Sequence, residues 1–274
     1  MSPEVGVLDE EAFHVAYQHD PDAAMTMLVE MGSATDERLR AEARRLARQL
    51  VLDLARHGAP RARGVRRLRR GPAELGGELD LDASLGALVE ARAGGRLPGA
   101  DELVTRHWEK PDLALCLVID TSGSMTGARL AAAALTAAAC AWRAPAEHAI
   151  VSFARETRTL RPLWSDRPAS AVVDSILTLR GHGVTALTSA LQAASDQLAR
   201  SRAARRVVVL LSDCRATDEQ DPVPVARRMP ELVILAPADD CAQAEELARQ
   251  SGGRWAPLSG AAGAPAALAR LLDR

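Results

Sequence analysis

The chain has 274 residues, of which 47% are hydrophobic and 3% aromatic, and a formal net charge of −2. That length allows one or two domains, the apolar share supplies an aliphatic core, and the near-neutral charge argues against bulk nucleic-acid binding. No apolar stretch reaches the ~18 residues needed to span a bilayer, and the segment from Met1 to Glu10 lacks the basic and apolar regions of a signal peptide.

Residues 8–31 read as two short helices. Asp20 is the N-cap of the second, and Pro21 sits at its first helical position. A longer helix is expected from about 36 to 57, with Leu39, Ala43, Leu46, Leu50 and Leu54 on one face and Gly58 as its stop. Residues 59–79 change character, with six arginines between Arg61 and Arg70 among glycines and prolines. A solvated loop is the expectation there, and a contact for an acidic partner surface is the alternative. Asp82 is expected to cap a helix ending near Arg92, with Leu85, Leu88 and Val89 facing inward. Residues 103–108 read as an extra edge strand leading into the main sheet.

From residue 110 onward strands alternate with helices. Strands are expected at 113–119, 149–153, 159–164, 207–211, 232–235 and 254–258. Helices are expected at 127–142, from 166 to about 179, from Thr185 or Ser189 to 200, at 239–250 and at 264–272. This alternation predicts an α/β fold: a doubly wound, mostly parallel six-stranded sheet, Rossmann-like, preceded by a smaller helical region. The expected organisation is a helical region over 1–58, an Arg-rich linker with a short helix and edge strand over 59–109, and the α/β domain over 110–274.

The run 113–119 is apolar without a break, as in a strand covered on both faces. Asp120-x-Ser122-x-Ser124 follows it at the carboxyl end, the edge where open α/β sheets bind ligands. Two further polar positions belong to the same edge: Thr185, after a glycine-containing loop, and Asp213, after the apolar strand 207–211. All five residues offer oxygen and none offers sulfur or imidazole, which suits a hard cation such as Mg²⁺ or Mn²⁺. The four cysteines, Cys116, Cys140, Cys214 and Cys241, form no CxxC pair and have no histidine at zinc spacing. They are expected to be free thiols in a reducing cytoplasm.

The set Asp120, Ser122, Ser124, Thr185 and Asp213 resembles the metal-ion-dependent adhesion site of von Willebrand factor A domains, over about the last 165 residues. The resemblance implies that the two serines and the threonine ligate Mg²⁺ or a similar ion, that the two acids act largely through water, and that a partner Asp or Glu completes the coordination. Cys214 departs from the pattern, since relatives often carry glycine there. The N-terminal helices, the segment Gly77-Glu78-Leu79-Asp80-Leu81 and the opening of the α/β domain resemble bacterial CoxE-like proteins. These accompany MoxR-type AAA+ ATPases. That resemblance implies a cytoplasmic adaptor coupling a separate ATPase to a client protein in maturation or metal-centre assembly, with no catalytic residues of its own.

Two alternatives belong to other classes. A Mg²⁺-dependent phosphohydrolase would need a base near the metal, for which His182 is the best candidate. A chelatase-like subunit would normally carry an AAA+-like region, and the first 110 residues are too short for one. The only lysine, Lys110, lies between Glu109 and Pro111, so the chain has no Gly-Lys-Ser/Thr loop for ATP phosphates.

Overall fold

The computed structural model describes residues 9–33, 36–57, 67–72, 78–99, 102–109, 113–123, 127–179, 183, 185–217 and 220–273. The chain forms two compact units. One joins Met1–Ala62 with Leu113–Arg274, and the other is Arg63–Asp112.

The larger unit starts with three helices, α1 (Glu10–His19), α2 (Pro21–Met31) and α3 (Glu37–His57). Asp20 caps α2 as its sequence implies, its carboxylate accepting the Ala23 N–H at 3.0 Å, and Asp36 does the same for Leu39 at the start of α3. Phe13, Leu28, Ala43, Leu46 and Ala47 are buried among these helices.

The smaller unit holds β1 (Arg67–Pro72), β2 (Glu78–Leu79), α4 (Leu81–Ala93) and β3 (Val104–Glu109). Four sequence expectations are corrected here. The stretch 59–79 is not wholly loop, since it contributes two strands. Residues 104–109 do not extend the main sheet but form the centre of a separate antiparallel one, in the order β1-β3-β2. The cap of α4 is Asp80, not Asp82. The Asp80 carboxylate accepts from the Ala83 N–H at 3.2 Å and from the Arg106 guanidinium at 2.8 and 2.9 Å, and its side chain is almost fully buried. That anchor turns Ser84 and Ala91 inward, and Ser84 Oγ bonds the Val104 backbone at both N–H and carbonyl. Leu85 and Val89, expected inside, are therefore exposed. Arg61 and its neighbours up to Arg66 lie outside the described residues.

In the larger unit the main sheet contains β4 (Leu113–Asp120), β5 (His148–Phe153), β6 (Thr157–Arg161), β7 (Arg205–Leu211), β8 (Leu232–Pro237) and β9 (Arg254–Leu258). Their order is β6-β5-β4-β7-β8-β9. All neighbours are parallel except β6, which turns back along β5 as an antiparallel edge. β4 is central and pairs with β5 and β7. Its side chains alternate between layers: Leu115, Leu117 and Ile119 face α5 (Gly127–Arg143), α6 (Ala169–Leu177) and α10 (Ala264–Leu272). Ala114, Cys116 and Val118 face α7 (Leu187–Ala199), the short α8 (Val223–Ala226) and α9 (Ala242–Ser251). The expected six-stranded doubly wound sheet is therefore present. All four cysteines are free thiols, three of them buried.

The alanines of α5 have a reason the sequence alone did not give. The sheet lies on one side of α5, and α2, α3, α6 and α10 contact it as well. Ala131, Ala133, Ala134, Ala137, Ala138 and Ala139 are all buried, so methyl groups are needed nearly all round. At its first residue, a Cβ on Gly127 would lie 2.7 Å from the Thr26 carbonyl of α2. Ala134→Leu should cost about 1–3 kcal/mol by overpacking, measured as a lower urea midpoint with an unchanged slope.

His148, at the start of β5, is buried. Its Nδ1 lies 2.9 Å from the Ala144 carbonyl, so Nδ1 carries the proton, and Nε2 has no partner among the described residues. Burial, then the nearby positive Arg161, lower its pKa from 6.5 to about 4, against a weaker upward pull from the Ala144 carbonyl. As pH falls, the unfolded chain takes up this proton first. The neutral imidazole's contribution is complete above about pH 6.5 and is lost as pH falls toward about 4, amounting to about 3 kcal/mol at most. Denaturant titrations between pH 7 and 4 should show this slope, and His148→Gln should flatten it.

Candidate metal centre

β4 brings its last residue, Asp120, to the carboxyl edge of the sheet. The register pairs Ile119 with Leu211, so one step further Asp120 lies beside Ser212. The Asp120 carboxylate accepts three hydrogen bonds. Oδ1 takes the Ser122 N–H at 2.8 Å and the Ser122 hydroxyl at 2.6 Å, and Oδ2 takes the Ser212 hydroxyl at 2.6 Å. Thr121 anchors the start of the loop, its N–H and hydroxyl both donating to the Phe153 carbonyl, at 2.7 and 2.8 Å.

The loop after β7 supplies Asp213, whose Oδ1 accepts the Arg215 N–H at 3.0 Å. Cys214 follows with φ +62°, and it is the only non-glycine residue with positive φ among the described residues. An L side chain is disfavoured in that conformation. Two contacts hold it: the Cys214 N–H donates to Ser212 Oγ at 2.8 Å, and its side chain is buried in the core on the α7–α9 side of the sheet. Cys214 thus holds a left-handed turn of the kind that favours glycine. Burial raises the Cys214 thiol pKa, and the Asp213 and Asp120 carboxylates raise it further.

Thr185 is 5% exposed and is clasped to the same loop. Its N–H donates to the Thr217 hydroxyl at 2.7 Å, and the Thr217 N–H returns to the Thr185 carbonyl at 3.2 Å. The next residue, Ala186, donates to the Ala154 carbonyl at 2.9 Å, one position beyond the residue that anchors Thr121. Asp120, Ser122 and Asp213 are therefore together, and Thr185 is tied to the Asp213 loop through Thr217. Ser124 lies outside the described residues, as does His182.

Electrostatically the site favours a cation. Burial raises the Asp120 pKa, hydrogen bonds from Ser122 and Ser212 lower it in part, and Asp213 raises it again. Among the described residues no cationic side chain pairs with Asp120, and no group of three or more His, Cys, Asp or Glu is clustered as a metal cage. Two carboxylates with neutral hydroxyls are a donor set that fits Mg²⁺ or Mn²⁺, hard cations that retain several waters. Two hollows border the loop. One, of about 590 Å³, lies on the α9 side and is lined by the Arg215–Asp240 ion pair. The other, of about 270 Å³, lies on the α5 side and is lined by Asp120, Ser212 and Asp213.

Sequence reasoning missed Ser212 and Thr217, which position the loops. The signal for Ser212 was available: two apolar strands, each ending in a polar residue, become neighbours if paired in parallel. Ser212→Ala would leave the Asp120 carboxylate one donor short and the Cys214 N–H without its acceptor. The expected cost is about 1–3 kcal/mol, read by chemical denaturation.

The comparisons with known proteins bear on the family. No curated protein matches the chain. A solved aerotolerance-related membrane protein from Bacteroides fragilis NCTC 9343 is 17% identical, with a TM-score of 0.49, covering 59% of this chain and 98% of its own. BatB from Bacteroides thetaiotaomicron is 15% identical with a TM-score of 0.48, covering 58% and 97%. A von Willebrand factor type A protein from Catenulispora acidiphila is 18% identical with a TM-score of 0.46, covering 62% and 44%. Residues 115–215, which run from β4 through the Asp213 loop, match the model of the von Willebrand factor type A domain.

Proposed function

We propose that the chain is a metal-dependent protein-binding module, a cytoplasmic adaptor rather than an enzyme. In this reading it works with a MoxR-type AAA+ ATPase, carried on a separate chain, in the maturation or metal-centre assembly of a client protein. The observation that carries the binding role is the Asp120 carboxylate, half-buried beside Asp213 with hydroxyl donors and no paired cation among the described residues. The ATPase partnership rests on the resemblance to CoxE-like proteins. Among the described residues no helix is long and apolar enough to cross a membrane.

Each residue has a defined part. Asp120 and Asp213 offset the charge of a divalent cation, and Ser122, Ser124 and Thr185 offer it neutral oxygens. Ser212 holds Asp120 in place, and Thr217 holds the Thr185 backbone. When bound, Mg²⁺ or Mn²⁺ would supply an electrophilic position for an Asp or Glu of the partner. A charge pair of this kind, in a partly dry interface, costs about 2–5 kcal/mol to break from one side.

Calorimetry or Mn²⁺ electron resonance should find one ion per chain in the wild type and none in Asp213→Ala. Equal affinity in a Ser122→Ala/Ser124→Ala double variant would overturn the ligand assignment. The ATPase and client should co-purify with the wild type and not with Asp120→Ala. Excess chelator should release them while the circular dichroism of the chain stays unchanged.

A further inference from the structure

The 270 Å³ hollow on the α5 side shares Asp120 and Asp213 with the metal centre, but its interior is of another kind. Its floor is aliphatic, with Ile119 and Ala133 buried. Its mouth is open, with Ala128 and Arg129 of α5 exposed on one side and Asp239 on the other. Two features make it a maintained space. Apart from Arg129 at the mouth, the first turns of α5 present methyl groups to it, from Ala128, Ala132 and Ala133, where larger side chains would take up the space. The opposite wall, the turn at 259–261, is held from behind by α2. The Asp22 carboxylate accepts the Ala262 N–H at 2.8 Å, and Gly260 sits so close to Asp22 that a side chain there has no room.

At about 270 Å³ the cavity falls below the ~300–1,000 Å³ of pockets that enclose a whole small-molecule ligand. It is matched to a single side chain entering from a larger body. The aliphatic floor selects an uncharged chain, and the acidic rim disfavours a free anion. Because the cavity wall includes both metal-site carboxylates, a residue next to a bound partner acid is within reach, consecutive Cα atoms being about 3.8 Å apart.

We propose that this cavity takes the branched aliphatic side chain of a partner protein, Leu, Ile or Val, from a position adjacent to the acid that approaches Asp120 and Asp213. This rests on the metal-dependent binding reading above and adds to it a specificity pocket. The partner segment is then an acid–aliphatic pair, with the acid read by the metal centre and its neighbour by α5 and the turn at 259–261.

The test titrates two acetylated, amidated tetrapeptides, Gly-Glu-Leu-Gly and Gly-Glu-Gly-Gly, into the full chain in excess Mg²⁺, followed by NMR. Mg²⁺ affinity is read separately. The leucine peptide should bind at least tenfold more tightly. Ala132→Leu should erase that preference by filling the cavity. Ala128→Leu, at the exposed mouth, serves the same purpose should the first variant misfold. Equal affinities in the wild type, no binding of either peptide to the Mg²⁺-loaded chain, or a preference that survives both substitutions would overturn the pocket. A leucine preference that persists in excess chelator would support the pocket and overturn the metal reading.

Discussion

A half-buried carboxylate is the constraint on which the rest of the site depends. Asp120 sits, half-buried, at the end of the central strand of the sheet, and withdrawing its charge from water is costly unless other groups offset it. Three hydrogen bonds, from Ser122 and Ser212, offset part of that cost. The adjoining Asp213 works in the opposite direction. The left-handed Cys214 turn follows from the same demand: it aims the Cys214 N–H at Ser212 Oγ, whose own proton is committed to Asp120.

The second organising feature is α5. It begins four residues after Gly123, so anything that fixes its first turn also fixes the site loop. α2 does this at two places. Its Thr26 carbonyl lies against Gly127, and Asp22 holds the turn before α10. The N-terminal helices therefore brace the edge that carries the chemistry. Arg48 of α3 adds a 2.9 Å ion pair to Asp174 of α6.

Much of the larger unit was legible in the sequence, because apolar runs bounded by polar turns carry strand and helix signals directly. The strand at 254–258 and the helix at 264–272 were placed to the residue. The motif at 120–124 was legible because its polar residues interrupt a long apolar run. The smaller unit was less so. Of its strands, β1 is arginine-rich and β2 only two residues long, while β3 was read as a strand but given to the wrong sheet. In α4 the buried Asp80 carboxylate, paired with Arg106 remote in sequence, rotates the helix so that Ser84 and Ala91 face inward and Leu81 and Leu85 do not. No periodicity rule sees such a pair. Ser212 and Thr217 were missed for a related reason, since their roles exist only once β4, β7 and the loop before α7 are neighbours.

The α2–α5 contact has a consequence for the order in which the protein is made. Met25 and Val29 of α2, and Val51 and Ala55 of α3, are buried in the same core as α5. About 70 residues separate the end of α3 from the start of α5, and the whole smaller unit lies between them. At about 5–20 residues per second on the ribosome, the apolar faces of α2 and α3 emerge some ~4–14 s before their covering helix exists. During that interval α1 covers only part of them, through the Phe13 and Leu28 cluster. A nascent chain of this protein thus presents a helical hairpin with one oily side to the cell, for long enough to meet a chaperone before it meets its own α5.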